Sequence, residues 1–290
     1  MGGVLAIVVG LASALTYGVA DFFGGLGAKR TPPVVVTALA AVVGLAVLLP
    51  FALLVPARVS VEAFLWGGLS GVTGAAAIFL LYAALAIGPM SILSPLTAVL
   101  SAIVPMTWGL LSGERLPWWG YPALVGVLIA IVLVGFVPER GAVRPRLRGI
   151  LYAVGSGLLI GAFFILVDRA PDDSGLYPLV GNRAVSGVIL VVIVAALALS
   201  ARRRGAAAFP GLRGALPLIV ACGAADAVAN VLILTALRLG DLAVTSVLAS
   251  LYPAGTIALA SLVLRERIAP LQWVGLVLAL GSAAVLAIPA

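Results

Sequence analysis

The stretch LLYAALAIGPMSILSPLTAVLSAIVPMTWGLLSGERL, residues 80–116, returns without a gap as LILTALRLGDLAVTSVLASLYPAGTIALASLVLRERI at residues 232–268. Ten of the 37 pairs separated by 152 positions are identical, among them Gly88/Gly240, Ser94/Ser246, Glu114/Glu266 and Arg115/Arg267. About four identities would arise by chance in so Leu- and Ala-rich a chain, and the excess points to an internal duplication. The Glu-Arg match weighs most, because only 9% of the residues are charged. A second register, offset by 143, relates Ser13 to Ser156, Gly18 to Gly161, Ala41-Val42 to Ala184-Val185 and Gly44 to Gly187. The two halves are therefore residues 1–143 and 144–290.

What each half contains follows from composition. Apolar residues make up 63% of the 290 positions and mean hydropathy is +1.28. Soluble domains run at roughly 45–50% apolar and about 25% charged, so the solvent of this chain is lipid. A spanning helix needs about 20 apolar residues. Ten such runs fall at about 4–26, 34–55, 64–86, 90–111, 119–137, 149–167, 177–199, 215–237, 242–263 and 271–289. The breaks carry charges or turn formers, such as Lys29-Arg30-Thr31-Pro32-Pro33, Gly88-Pro89 and Arg202-Arg203-Arg204, and none is long enough for a soluble domain. Met1-Gly2-Gly3 enters the first run without a basic region, which reads as a span and not a cleaved signal. A β-barrel would alternate apolar and polar residues over about ten positions; these runs are apolar on every side, and only helices fit.

Five spans per half is an odd number, so the second half enters the membrane from the opposite side. The expected fold is all-α, a polytopic membrane protein of ten transmembrane helices arranged as two inverted five-helix repeats. Many secondary transporters alternate access on this plan. Several motifs, in order and spacing, resemble those of the drug/metabolite transporter (DMT) superfamily, in particular its EamA-type ten-helix members. They are Tyr17-Gly18-Val19-Ala20-Asp21-Phe22, Asn182-Arg183, and Leu85-x-x-Gly88 to Gly113-Glu114-Arg115-Leu116 with its counterpart Leu237-x-x-Gly240 to Arg265-Glu266-Arg267-Ile268. The resemblance covers nearly the whole chain. It implies a central cavity between the repeats, lined by spans 1, 3, 4, 6, 8 and 9.

The net charge of +7 comes from basic residues clustered between apolar runs, which is an orientation signal and not one for nucleic acid. Loops after odd-numbered spans hold Lys29, Arg30, Arg140, Arg144, Arg146, Arg148, Arg202, Arg203, Arg204, Arg213, Arg265 and Arg267; loops after even-numbered spans hold only Arg58, Arg115, Arg169 and Arg238. The charge rule places both termini outside, whereas the resemblance implies both in the cytoplasm; we favour the charge count. Arg202 to Arg204 are expected to set orientation or touch anionic lipid.

There is no histidine and a single cysteine, Cys222, which removes His-based metal sites, His-containing triads and internal disulfides. No catalytic residue, cofactor or metal is expected. Three charges lie inside spans, where each costs at least ~2.5–3.5 kcal/mol and usually faces a cavity or the bundle interior: Asp21, Arg183 and Asp226. Asp226 and Asn230 share a face of span 8. Arg183 lies about five residues, roughly 7–8 Å, from the centre of span 7, on the side of Asn230, with Asn182 beside it. A buried Arg183–Asp226 pair that only joins two helices weighs evenly against a substrate role. The repeat counterparts Gly74, Ile78 and Ala40 are uncharged, which argues against a general scaffold element. Asp21 falls in the last third of span 1, on a face with Gly10, Ser13, Tyr17 and Gly24, at a depth across the midplane from Arg183.

The substrate-binding set is thus Asp226, Asn230, Arg183, Asn182 and Tyr17. Asp21, out of reach of Arg183, is the proton-coupling residue. Pro95, Pro105 and Pro253 interrupt spans 4 and 9 as kinks or hinges. Gly67, Gly71 and Ala75, with Gly74 beside them, read as a close-packing face. Glu114-Arg115 and Glu266-Arg267 read as salt-bridged helix ends. The function expected is a secondary active exporter of small amine-containing or amino-acid-like metabolites or drugs in a bacterial plasma membrane; no nucleotide-binding motif is present, so the energy comes from gradients, protons among them, or from a separate subunit. The alternatives are a membrane-embedded enzyme on lipid-linked substrates and a passive channel or uniporter. Expected partners are a small-molecule substrate and membrane lipids, not nucleic acid, with the chain acting as monomer or homodimer.

Overall fold

In hydrocarbon every backbone N–H and C=O must find its partner within the segment, so each apolar run closes into a helix. The computed structural model describes residues 2–87, 90–135, 146–204, 209, 211–263, 265 and 268–288. Their helices are α1 (Gly2–Ala28), α2 (Pro33–Leu54), α3 (Val61–Ile87), α4 (Met90–Leu111), α5 (Gly120–Gly135), α6 (Leu147–Asp168), α7 (Tyr177–Arg203), α8 (Leu212–Leu239), α9 (Leu242–Ala249), α10 (Tyr252–Val263) and α11 (Pro270–Leu286). A 3₁₀ turn, Asp172–Ser174, precedes α7. No strand occurs among the described residues. Among the described residues, seven spans are long and apolar enough to cross a membrane, α9 and α10 counting as one; three shorter apolar helices, Pro95–Leu111, Gly120–Gly135 and Pro270–Leu286, complete the expected ten. Gly88-Pro89, Arg140, Arg144, Glu266, Arg267 and the 143/144 boundary lie outside the described residues.

The helices pack across the repeats as an inverted pair demands. Helix α1 lies along α8 as α6 lies along α3; α2 meets α7, and α5 meets α11. Span 4 packs on α6 as span 9 packs on α1. One pair of hydrogen bonds obeys both sequence offsets at once. Ser13 Oγ donates to the carbonyl of Ala229 at 3.2 Å, and Ser156 Oγ to that of Ala77 at 2.8 Å; Ser13 and Ser156 differ by 143, Ala77 and Ala229 by 152. Close approach follows the same rule. A methyl at Gly18 would strike the backbone of Gly255 and Thr256, and one at Gly161 would strike Val104, the 152-counterpart of Thr256. Even the helix ends match: Gly113, at φ +108°, and Arg265, at φ +55°, both adopt left-handed backbone 152 residues apart.

Span 9 is not one helix. Pro253 has no N–H for the carbonyl of Ala249 and its ring would clash there, and α9 stops at Ala249 with α10 restarting at Tyr252. Helix α4, by contrast, is continuous through both Pro95 and Pro105.

Glu114 is also not a solvated ion-paired end. The left-handed turn at Gly113 returns the chain so that the N–H of Glu114 reaches Gly109 O at 3.1 Å. Its carboxylate accepts from the N–H groups of Leu242 at 2.8 Å and Ala243 at 2.9 Å. A side chain at Gly109 would collide with that carboxylate. The negative charge thus caps the N-terminus of α9, satisfying two orphan donors and matching the helix dipole. At the same face, Arg169 lies 5.5 Å over the Trp108 ring, and Arg58 pairs with Asp173 at 3.8 Å.

Candidate functional site

The site grows from two interhelical contacts. The Ser13–Ala229 bond fixes α1 against α8, so Tyr17, one turn beyond Ser13, shares its depth with Asp226 and Asn230. On the other side, side chains at Gly67 and Gly71 would collide with the backbone carbonyls of Pro178 and Asn182; their absence lets α7 lie against α3. Ser70, between them, accepts a hydrogen bond from Asn182 Nδ2 at 2.8 Å and donates to Gly67 O at 2.7 Å. This lock sets the rotation of α7 and turns Arg183 inward.

Arg183 then extends across the face of Gly44, with Cδ 3.5 Å from where a side chain there would begin, and pairs with Asp226. Gly44 sits at the middle of α2 and Asp226 at the middle of α8. The guanidinium therefore lies at mid-depth, although its Cα does not. Asn230 Nδ2 donates to the Asp226 carbonyl at 2.7 Å and to its Oδ1 at 3.3 Å.

All six residues singled out from the sequence, Tyr17, Asp21, Asn182, Arg183, Asp226 and Asn230, line one cavity of about 180 Å³. Asp21 is on the wall with the rest, so the expected separation across the midplane does not keep it from the Asp226 side of the cavity. It is exposed and makes no hydrogen bond or ion pair among the described residues. Three other polar atoms are buried around the cavity without a protein partner among the described residues: Tyr17 Oη, Arg183 Nε and Asn230 Oδ1. Buried polar groups are nearly always paired, and each unpaired one calls for an explanation. The wall holds two carboxyl groups, Asp21 and Asp226, and one guanidinium, Arg183. The set of helices differs from expectation. Helices α2 and α7 contribute Thr37, Ala41, Ser186 and Leu190, and no span 4 residue lines it among the described residues. Phe163, Phe164 and Tyr252 also line the cavity, and the sequence reading did not single them out; the break after α9 brings Tyr252 to the wall. A recess of about 320 Å³ at the face of the chain ends holds Arg115 and Asp241, both exposed.

The family model of the EamA-like transporter family matches residues 4–136 and 147–288, one match per repeat. The chain belongs to the EamA-like transporter family, of the DMT type. No curated protein is a significant match. A protein of known crystal structure superposes with a TM-score of 0.77, covering 97% of this chain and 95% of its own, at 17% identity. At that identity the likeness speaks for the fold alone.

Proposed function

We propose that the chain is a secondary carrier that exports small amine-containing metabolites or drugs across a bacterial plasma membrane, with its termini outside, and performs no catalytic step. The observation that carries this reading is the mid-depth cavity with Tyr17 Oη, Arg183 Nε and Asn230 Oδ1 unpaired around two carboxylates and one guanidinium. An ammonium group suits a wall with two carboxyl groups to one guanidinium. Asp226, Asn230, Arg183, Asn182 and Tyr17 hold the substrate in this reading. Asp21, without a cation partner among the described residues, exchanges the proton. A carboxylate that binds a proton or a cationic substrate in turn is sufficient for antiport.

The test is a thermal-shift screen of metabolites on purified protein, followed by counterflow of the hits in proteoliposomes. Hits carrying an amine and saturable counterflow are expected. Hits made only of neutral sugars would overturn the substrate class, and non-saturating flux without counterflow would make the protein a channel.

A further inference from the structure

The two repeat offsets carry each polar cavity residue onto an apolar one. Tyr17 maps to Ile160, Asp21 to Phe164, Asp226 to Gly74, Asn230 to Ile78 and Arg183 to Ala40. Four of these counterparts, Ile160, Phe164, Gly74 and Ile78, line the same cavity. The polar groups come from α1 and α8, with Arg183 of α7, and the apolar ones from α6 and α3, the pair that the inverted repeat relates to α1 and α8. One wall of the cavity is therefore ionic and its pseudo-symmetric mate is hydrocarbon.

Gly74 stands apart from its neighbours on α3. Gly67 and Gly71 press on the backbone of α7, where any side chain collides. A Cβ at Gly74 meets only Phe163 Cδ2, at 3.8 Å, an ordinary van der Waals contact. Helix packing thus does not require a glycine there, and what its missing side chain leaves open is cavity space against the Phe163 ring. Ile78, one turn on, and Ile160 flank that space, and each is only partly covered.

We infer that Gly74, Ile78, Ile160 and Phe163 form an apolar subsite that selects substrates by the size of a hydrocarbon tail. The transported class is then an amphipathic amine: its ammonium on the Asp226 wall, its branched or aromatic tail between α3 and α6. This rests on the amine reading above and adds the tail. Small polar amines fill only one wall, and large rigid bodies meet Phe163.

The experiment measures Kd for methylammonium, n-butylammonium and phenethylammonium, which share a head and differ in tail. The full chain is held in nanodiscs and titrated calorimetrically, with empty nanodiscs as the partition control. Each methylene buried should tighten binding about fourfold, so the wild-type series is expected to span at least about tenfold. Gly74→Leu fills the subsite and should reduce the phenethyl-to-methyl ratio below about threefold. Gly281→Leu, on α11 where nothing lies within 4 Å of the new side chain, should keep the wild-type ratio. A flat wild-type series with measurable binding overturns the subsite and leaves the amine reading standing, and so does an unchanged ratio in Gly74→Leu. Failure of every amine to bind overturns both. Should Gly74→Leu not fold, the wild-type series and Gly74→Ala, whose added methyl meets no clash, decide the matter.

Discussion

Arg183 and Asp226 pair at mid-depth, with side chains 13% and 23% exposed, and a double-mutant cycle separates the structural part of that contact from recognition. Removing one partner of a buried pair costs about 3–5 kcal/mol, because the other charge stays behind without water, while replacing both with apolar groups is often neutral. The pair borders a cavity, so each single change, Arg183→Met or Asp226→Leu, is expected near the lower end, about 3 kcal/mol. The double variant should lie within about 1 kcal/mol of wild type, a large coupling for residues in direct contact. Reversible unfolding in mixed micelles reads stability, and counterflow of an amine identified by the screen reads affinity. If the pair also binds substrate, stability returns in the double variant and affinity does not. Single variants within about 0.5 kcal/mol of wild type would refute the desolvation argument. A double variant with wild-type affinity would refute the recognition role.

Asp21→Asn is expected to abolish accumulation driven by an imposed pH gradient in proteoliposomes while downhill exchange persists; unchanged gradient dependence would remove Asp21 from the coupling step. Ser70→Ala breaks the lock on Asn182 inside the protein and should lower unfolding stability by about 1 kcal/mol, with weaker substrate binding because Arg183 loses its orientation. Gly71→Ala puts a methyl against the Asn182 carbonyl and forces α3 and α7 apart, at about 1–3 kcal/mol by the same unfolding assay. Glu114→Gln removes the charge capping α9 and should cost about 1 kcal/mol. It should also raise the labelling rate of a cysteine placed at the buried Thr245 in a Cys222→Ala background, whereas an unchanged rate would make the cap dispensable for closure at that face.

Most of the fold was legible because lipid imposes it: an apolar run of sufficient length has one available structure, and five spans per half forces inversion. The repeat registers were legible from scattered identities, and the Ser13–Ala229 and Ser156–Ala77 bonds give those registers a physical meaning. Five of the six candidate residues that line the cavity, Asp21, Asn182, Arg183, Asp226 and Asn230, stood out for a related reason, since charges and amides are conspicuous in a chain with so few. Relations between distant residues did not. Glu114 looked like a solvated helix end because its partners, Leu242 and Ala243, lie in the other repeat.

Depth along a helix axis also proved a poor guide to where a long side chain acts. Counting residues from the centre of span 7 set Arg183 well off the midplane and separated it from Asp21. That count locates Cα, but an arginine carries its charge about as far from Cα as a helical turn is long. The guanidinium therefore follows the nearest carboxylate and open space, here across Gly44 to Asp226, and not the level of its own backbone. Short side chains obey the count better: Asp226 and Asn230 lie at the depth where the sequence put them. The aromatic residues Phe163, Phe164 and Tyr252 stayed invisible for the opposite reason, being indistinguishable from lipid-facing hydrocarbon until the pairing of α3 with α6 and the break before Tyr252 set them around the cavity. In this inverted-repeat protein most of the polar lining of the cavity stands out by composition, and part of its apolar lining, Ile160, Phe164, Gly74 and Ile78, consists of the repeat counterparts of polar residues.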